Sequence, residues 1–360
     1  MATTLVELLD ARTRAGSLYE RLDEAGNVRC FACGLRCLIR PGRRGVCRVR
    51  FNRDGTLMVP FDYVAALQCD PVEKKPLFHM LPGARALTFG MLGCDLHCDY
   101  CQNWITSQAL RDEAAGIGPR DVSADSIVEL AVRRGARIIA SSYNEPLITA
   151  EWAVEVFRHA KERGIRTAFI SNGNATPAAL NYLGPWLDAF RIDLKTMSDR
   201  SYRKLGGVLH HVLETVRLAY ERAFWVEIVT LLVPGFNDSD DELRDAAGFI
   251  ASVSTEIPWH VTAFKPDYRM SERANTRAQD LIRAAEIGRE AGLPYVYAGN
   301  LPGMVGGLED TCCPVCGQAL IERHGYHVRS DEVSRNDGLC PACGARIAGI
   351  WESAGATIRL

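Results

Sequence analysis

Twelve of the thirteen cysteines in this 360-residue chain stand in three tight groups: Cys30, Cys33, Cys37 and Cys47; Cys94, Cys98 and Cys101; and Cys312, Cys313, Cys316, Cys340 and Cys343. Only Cys69 stands apart. Thiols used for packing would scatter, and a disulfide framework favours an even count, so the odd total and close spacing point to metal binding. The groups divide the chain into an N-terminal helix and Cys-rich module over 1–80, a core over 81–304 and a C-terminal module over 305–360.

An apolar fraction of 47% and a charged fraction of 24% suit a packed protein and argue against long disorder or a fibre. Lys and Arg total 42 against 44 Asp and Glu, a net charge of −2, so the whole chain is no electrostatic nucleic-acid binder. No run approaches the roughly 18 apolar residues of a membrane span. Glu7 and Asp10 interrupt the stretch that a signal peptide would use. The expected location is a reducing cytoplasm, away from membranes.

Between the outer cysteine groups, apolar β-rich runs at 85–91, 137–142, 165–171, 188–193, 224–232, 259–264 and 294–298 alternate with helical patterns. Ser123 and Thr149 are placed to cap helices, Thr176-Pro177 is a cap followed by proline at the first turn, and Gly164 sits where a helix ends. Apolar residues recur at three- and four-residue steps over 209–220, one face of a helix. The fold class is α/β: a parallel sheet covered by helices, as an open doubly wound sheet or a partial or complete (β/α) barrel. In either case the active site lies where the strands end at their C-terminal side.

The first of these runs leads into Cys94-x3-Cys98-x2-Cys101. Three thiolates on a cubane of four irons leave one iron for a ligand with adjacent amino and carboxylate groups, which S-adenosylmethionine (SAM) has. Gly93 removes a side chain from the loop and Tyr100 places an aromatic ring beside the last thiol. A zinc site that includes His97 is the alternative metal reading.

This loop resembles that of the radical SAM superfamily, nearest to pyruvate formate-lyase activating enzymes. DPVEKKPLFHMLPG (70–83), CQNW (101–104), YNEP (143–146), IDLK (192–195) and WHVTAFKPD (259–267) resemble more narrowly the radical enzyme of the AmmeMemoRadiSam system. The resemblance implies a [4Fe–4S] cluster on Cys94, Cys98 and Cys101. It places Asn144 and Glu145 at the methionine amino group, Asp193 and Lys195 at the ribose and carboxylate, and His260 near the cofactor. Asn172, at the next strand end, suits a ribose or carboxylate, although Ser-Asn-Gly is also ordinary turn chemistry.

Cys313, Cys316, Cys340 and Cys343 form two Cys-Pro-x-Cys-Gly knuckles spaced like a zinc ribbon, with Cys312 as a spare thiol and an auxiliary iron–sulfur cluster as the alternative. Cys30, Cys33, Cys37 and Cys47 are open between zinc and an auxiliary cluster. Arg36, Arg40, Arg43, Arg44, Arg48, Arg50 and Arg53 surround them, either as a solvated basic face or as a grip on RNA, without the interleaved aromatics of base stacking.

The expected activity is reductive cleavage of SAM to a 5′-deoxyadenosyl radical that abstracts hydrogen from a substrate, such as a protein glycine. The expected electron donor is a flavodoxin or ferredoxin, and AmmeMemoRadiSam proteins are the expected partners. An RNA-modifying radical SAM enzyme and a zinc-stabilised scaffold without catalysis are the competing readings.

Overall fold

The computed structural model describes residues 3–351. Residues 1–2 and 352–360, the outer ends of the two flanking modules, lie outside the described residues. Its centre is an eight-stranded sheet: β1 (Ala66–Pro71), β2 (Arg85–Gly90), β3 (Ala136–Ser141), β4 (Arg166–Ser171), β5 (Ala189–Asp193), β6 (Trp225–Leu232), β7 (Trp259–Ala263) and β8 (Val296–Gly299). The strands lie side by side in sequence order, with β2 to β8 parallel and β1 antiparallel on the β2 edge. β1, which the sequence division leaves among the N-terminal residues, is thus part of the central sheet.

A complete barrel does not form: among the described residues β1 and β8 make no ladder with each other, and the sheet keeps two edges. Both of its faces are nevertheless covered. Ile139, Phe169 and Phe190 share a core with Trp152, Phe157 and Leu180 from the helices. The alternate residues Ile138, Ala140, Ala168 and Ile170 pack against Leu77, Met80 and Leu81 of the segment between β1 and β2. Burial on both faces is why the parallel strands read as nearly unbroken apolar runs.

The covering helices are α1 (Ala124–Arg133), α2 (Ala150–Glu162), α3 (Pro177–Leu183), α4 (Leu209–Glu221), α5 (Asp240–Val253) and α6 (Ala278–Glu290). Ser123 accepts from the Ser126 amide and Thr176 from the Ala179 amide, the caps that their side chains foretell. Gly164 takes a φ of +66° after α2. Thr149 does not cap α2. A 3-10 turn over Pro146–Thr149 precedes that helix, and the Thr149 hydroxyl donates back to the Pro146 carbonyl at 3.3 Å.

The N-terminal module is pinned to α2 by Arg50, whose guanidinium meets both Glu151 oxygens at 2.6 and 2.8 Å with neither side chain more than 4% exposed. One arginine of the basic stretch is therefore structural. The C-terminal module is a small antiparallel sheet of Thr311–Cys312, Ala319–His324 and His327–Asp331, packed through Leu320, Ile321 and Val333 on Phe78, Tyr295 and Tyr297. Every cysteine is unpaired. Among the described residues no helix is long and apolar enough to cross a membrane.

Candidate active site

The loop after β2 carries Cys94, Cys98 and Cys101 over the C-terminal ends of the parallel strands. Two glycines let it in. At Gly90 a Cβ would stand 2.4 Å from the Ser142 carbonyl oxygen, so only glycine lets β2 end this close to the end of β3. Gly93, with φ at +95°, has the Cys47 carbonyl at 3.1 Å and Val49 at 2.9 Å from where a Cβ would be, which seats the N-terminal module directly behind the thiol loop.

All three thiols line one cavity of about 100 Å³, together with Asn144, Glu145, Asn172, Asp193 and Lys195. The structure thus gathers the sequence-predicted residues of three strand ends, those of β3, β4 and β5, around the cysteines. His97 is exposed against Gly206 and does not line that cavity, so this loop offers no histidine to a zinc held by the three thiols. Burial pushes the Cys98 thiol up to about 12. A bound metal centre of any kind would favour the thiolate there. Three thiols with no histidine beside them are the donor set that fits an iron–sulfur cluster.

At the end of β3, Asn144 accepts from the Met91 amide at 2.9 Å and fixes the start of the thiol loop. Both Glu145 oxygens are engaged, taking the Ser171 hydroxyl at 2.7 Å, the Asn172 amide at 2.8 Å and the Leu147 amide at 3.0 Å. Burial and, after it, the neighbouring Asp95 raise the Glu145 carboxyl above the usual carboxylate range. Ser142 and Tyr143 line the cavity beside these two, and Tyr143 stands in the left-handed region at φ +69°.

At the end of β5, Asp193 is paired with Arg191 and stands 3.3 Å from the Lys195 ammonium. Burial alone would lower Lys195. Cys98, Tyr100 and Tyr202 outweigh it and hold the ammonium above its ordinary value. Tyr100 is itself buried, edge-on to Phe236 at 5.5 Å.

The thiol cavity adjoins a second, of about 360 Å³, lined by Cys98, Cys101, Tyr100, Asp193 and Lys195. That cavity shares Gln102, Thr262, Asn300 and Tyr326 with a third, of about 960 Å³, between β7, β8 and the C-terminal module. His260 is placed in this third cavity and not among the thiols. It bonds Glu227 at 2.6 Å and stacks on Tyr297 with centroids 5.1 Å apart.

Sequence reasoning passed over Arg191 and Lys75, which both line the second cavity. Arg191 donates to the Lys75 carbonyl at 2.8 Å, and the Lys75 ammonium is 3.3 Å from both Asp70 and the Tyr143 hydroxyl. The available signal was a lone cation inside the apolar run of β5, since an unpaired charge is not left on a buried strand.

Away from this centre, Cys313, Cys316, Cys340 and Cys343 bring their sulfurs within 4.8 Å of one another and make a four-thiol metal site.

The Radical SAM superfamily profile matches residues 89–250, the stretch from the end of β2 to α5. An uncharacterised protein of Methanocaldococcus jannaschii is 36% identical over 336 residues, spanning 93% of this chain and 98% of its own. The pyruvate formate-lyase 1-activating enzyme of Escherichia coli is 30% identical over 194 residues, spanning 50% of this chain and 75% of its own. Among solved structures, a radical SAM methyltransferase from Sphaerobacter thermophilus aligns with a TM-score of 0.48 at 15% identity, over 86% of this chain and 81% of its own. With the thiol loop at the strand ends and a relative of this identity and coverage, the chain belongs to the radical SAM superfamily as an enzyme related to the pyruvate formate-lyase activating enzymes.

Proposed function

We propose that Cys94, Cys98 and Cys101 hold a [4Fe–4S] cluster whose remaining iron takes the amino and carboxylate groups of SAM, and that the resulting 5′-deoxyadenosyl radical abstracts hydrogen from a substrate in the adjoining cavities. When bound, the cluster supplies the electron that breaks the carbon–sulfur bond. The chain's own part is to bind, orient and shield. Lys195 offers a fixed positive charge to the cofactor carboxylate, Asp193 an acceptor for ribose hydroxyls, and Asn172 a polar group at the neighbouring strand end. The apolar and aromatic walls around Tyr100 exclude water that would quench a radical. The observation that carries this reading is the single cavity shared by the three thiols and the strand-end residues Asn172, Asp193 and Lys195.

The third cavity is the substrate's place in this reading. Its volume and its outer wall from the C-terminal module suit a segment of a protein, with a glycine as the hydrogen donor. The motifs at 70–83 and 259–267 support a role beside AmmeMemoRadiSam partner proteins, and the cluster calls for a flavodoxin or ferredoxin as electron donor. Thirteen cysteines without a disulfide and an oxygen-sensitive cluster support a cytoplasmic location. A structural zinc at Cys313, Cys316, Cys340 and Cys343 completes the metal inventory in this reading.

Anaerobically reconstituted protein given SAM and a reductant should form 5′-deoxyadenosine, and the Cys94→Ala, Cys98→Ala, Cys101→Ala triple variant should form none. Undiminished cleavage in the triple variant would sink the assignment. No cleavage by wild type with an intact cluster would favour the zinc-stabilised scaffold.

A further inference from the structure

The second cavity, between the thiols and the third cavity, has a charge of its own. Its wall carries four cations, Lys74, Lys75, Arg191 and Lys195, and among the described residues one acid, Asp193. Asp193 is already shared by Arg191 and Lys195. Those two cations also line the thiol cavity, where they answer the charge of the thiolates and, in the reading above, of the cofactor carboxylate. Lys74 and Lys75 line the second cavity and neither of its neighbours. They share one further acid, Asp70, 3.2 Å from Lys74 and 3.3 Å from Lys75. Four cations against two carboxylates leave this wall with an excess of positive charge.

The excess reaches the interior through Lys75. Its side chain is 5% exposed, against 43% for Lys74, and burial holds its ammonium below the ordinary value in spite of Asp70. The ammonium also lies 3.3 Å from the Tyr143 hydroxyl and 5.3 Å from the centre of that ring. Tyr143 keeps its left-handed backbone at φ +69°, a conformation that costs an aromatic residue and that persists where a site fixes the side chain. Arg191 is tied to the same segment, its Nε donating to the Lys75 carbonyl at 2.8 Å. An anion entering between such groups restores the solvation that burial has taken from them.

The third cavity has the opposite sign. Glu73, Asp267 and Glu309 line it, with Lys265 the one lysine against them. A carboxylate is therefore repelled from the outer cavity and drawn to the inner one.

Resting on the reading that the substrate lies in these cavities, we infer that Lys75 and Arg191 form an anion subsite that takes a carboxylate of the substrate and so sets which end of it meets the radical. The carboxylate belongs to a chain terminus or to a small free acid.

The test titrates acetyl-triglycine, as the free acid and as its C-terminal amide, into reconstituted full-length protein with SAM and no reductant, by calorimetry. The acid should bind about ten- to a hundredfold tighter than the amide, and Lys75→Met should remove the difference. An acid that binds no tighter than the amide to wild type overturns the inference without any variant. So does a preference that survives in Lys75→Met, or one seen without SAM and lost with it, which would make Lys75 a cofactor residue. N-acetylglycine separates the sources: affinity equal to that of the longer acid supports the subsite with a small acid as its ligand, and weaker binding supports it with a chain terminus. Because binding is read without reductant, protein that prefers the acid and cleaves no SAM refutes the radical reading alone, and protein that cleaves SAM and binds acid and amide alike refutes this one alone.

Discussion

Asn172 donates its side-chain amide to Asp95 at 2.7 Å, tying the end of β4 to the residue that follows Cys94. Asp95 is fully buried and also accepts from the Asn174 side chain and, weakly, from the Cys94 thiol at 3.7 Å. The thiol loop is therefore held from a strand that carries none of its cysteines. Replacing Asn172 by Ala leaves one buried Asp95 oxygen with at most the weak Cys94 thiol, at a cost of about 1–3 kcal/mol. The urea midpoint should fall, and less iron should survive gel filtration. Unchanged midpoint and iron content would show that Asn172 does not hold the loop.

Lys195→Ala should weaken SAM binding about ten- to a hundredfold while iron content stays intact, because a charge-assisted hydrogen bond contributes roughly 1.5–3 kcal/mol. An ion pair with Asp193 alone, 3.3 Å away, would contribute far less to cofactor affinity. Titration of the cofactor into wild type and variant at matched cluster occupancy separates the two. Equal dissociation constants would remove Lys195 from the cofactor site and put Asp193 in question with it.

Cys340→Ser should release about one zinc per chain and lower the melting temperature, because the binding energy of a structural zinc is folding energy. Cys313 and Cys340 are buried in the same small core as Tyr297, so that core should loosen with the metal. The central iron should persist in soluble variant protein. A zinc count and melting curve equal to wild type would contradict the assignment.

His79 makes the junction between the core and the C-terminal module acid-sensitive. Its Nδ1 lies 2.6 Å from the Ala348 carbonyl, which can only accept, so that nitrogen carries the proton, and Nε2 takes the Tyr297 hydroxyl at 2.5 Å. Burial holds His79 down at about 4, against about 6.5 in an unfolded chain. Between those values the unfolded state binds more protons, so stability is retained above about pH 6.5 and falls as pH drops toward 4. His79→Asn keeps a donor for Ala348 and removes the titration. Its melting temperature should decline less than that of wild type between pH 6.5 and 5, and parallel declines would refute the linkage.

The parallel strands were legible because burial on both faces leaves runs such as that of β6 apolar almost throughout. The caps at Ser123 and Thr176 were legible because their side chains bond amides only three residues on. β1 was not, since its residues are mostly half-buried and give neither alternation nor an apolar run. The site was legible as strand ends, and Cys94, Asn172, Asp193 and Lys195 do share a cavity. What each side chain binds was not, because that depends on distant partners. Glu145 is engaged by β4, and His260 is drawn to Glu227, a carboxylate inside β6 that also accepts the Phe78 and His79 amides at 3.0 and 2.9 Å.

The segment between β1 and β2 that covers the inner face of the sheet is completed from far along the chain. His79 meets Ala348 across 269 residues of sequence, and Met80 bridges Ile350. During synthesis, then, the first strands leave the ribosome long before the residues that close over Leu77, Met80 and Leu81 exist. The covering segment must wait with its own contacts to residues 348–350 unmade, a slow, non-local final step that leaves it open to aggregation. Overproduction should therefore reward slower translation or chaperone supply more than a stronger promoter.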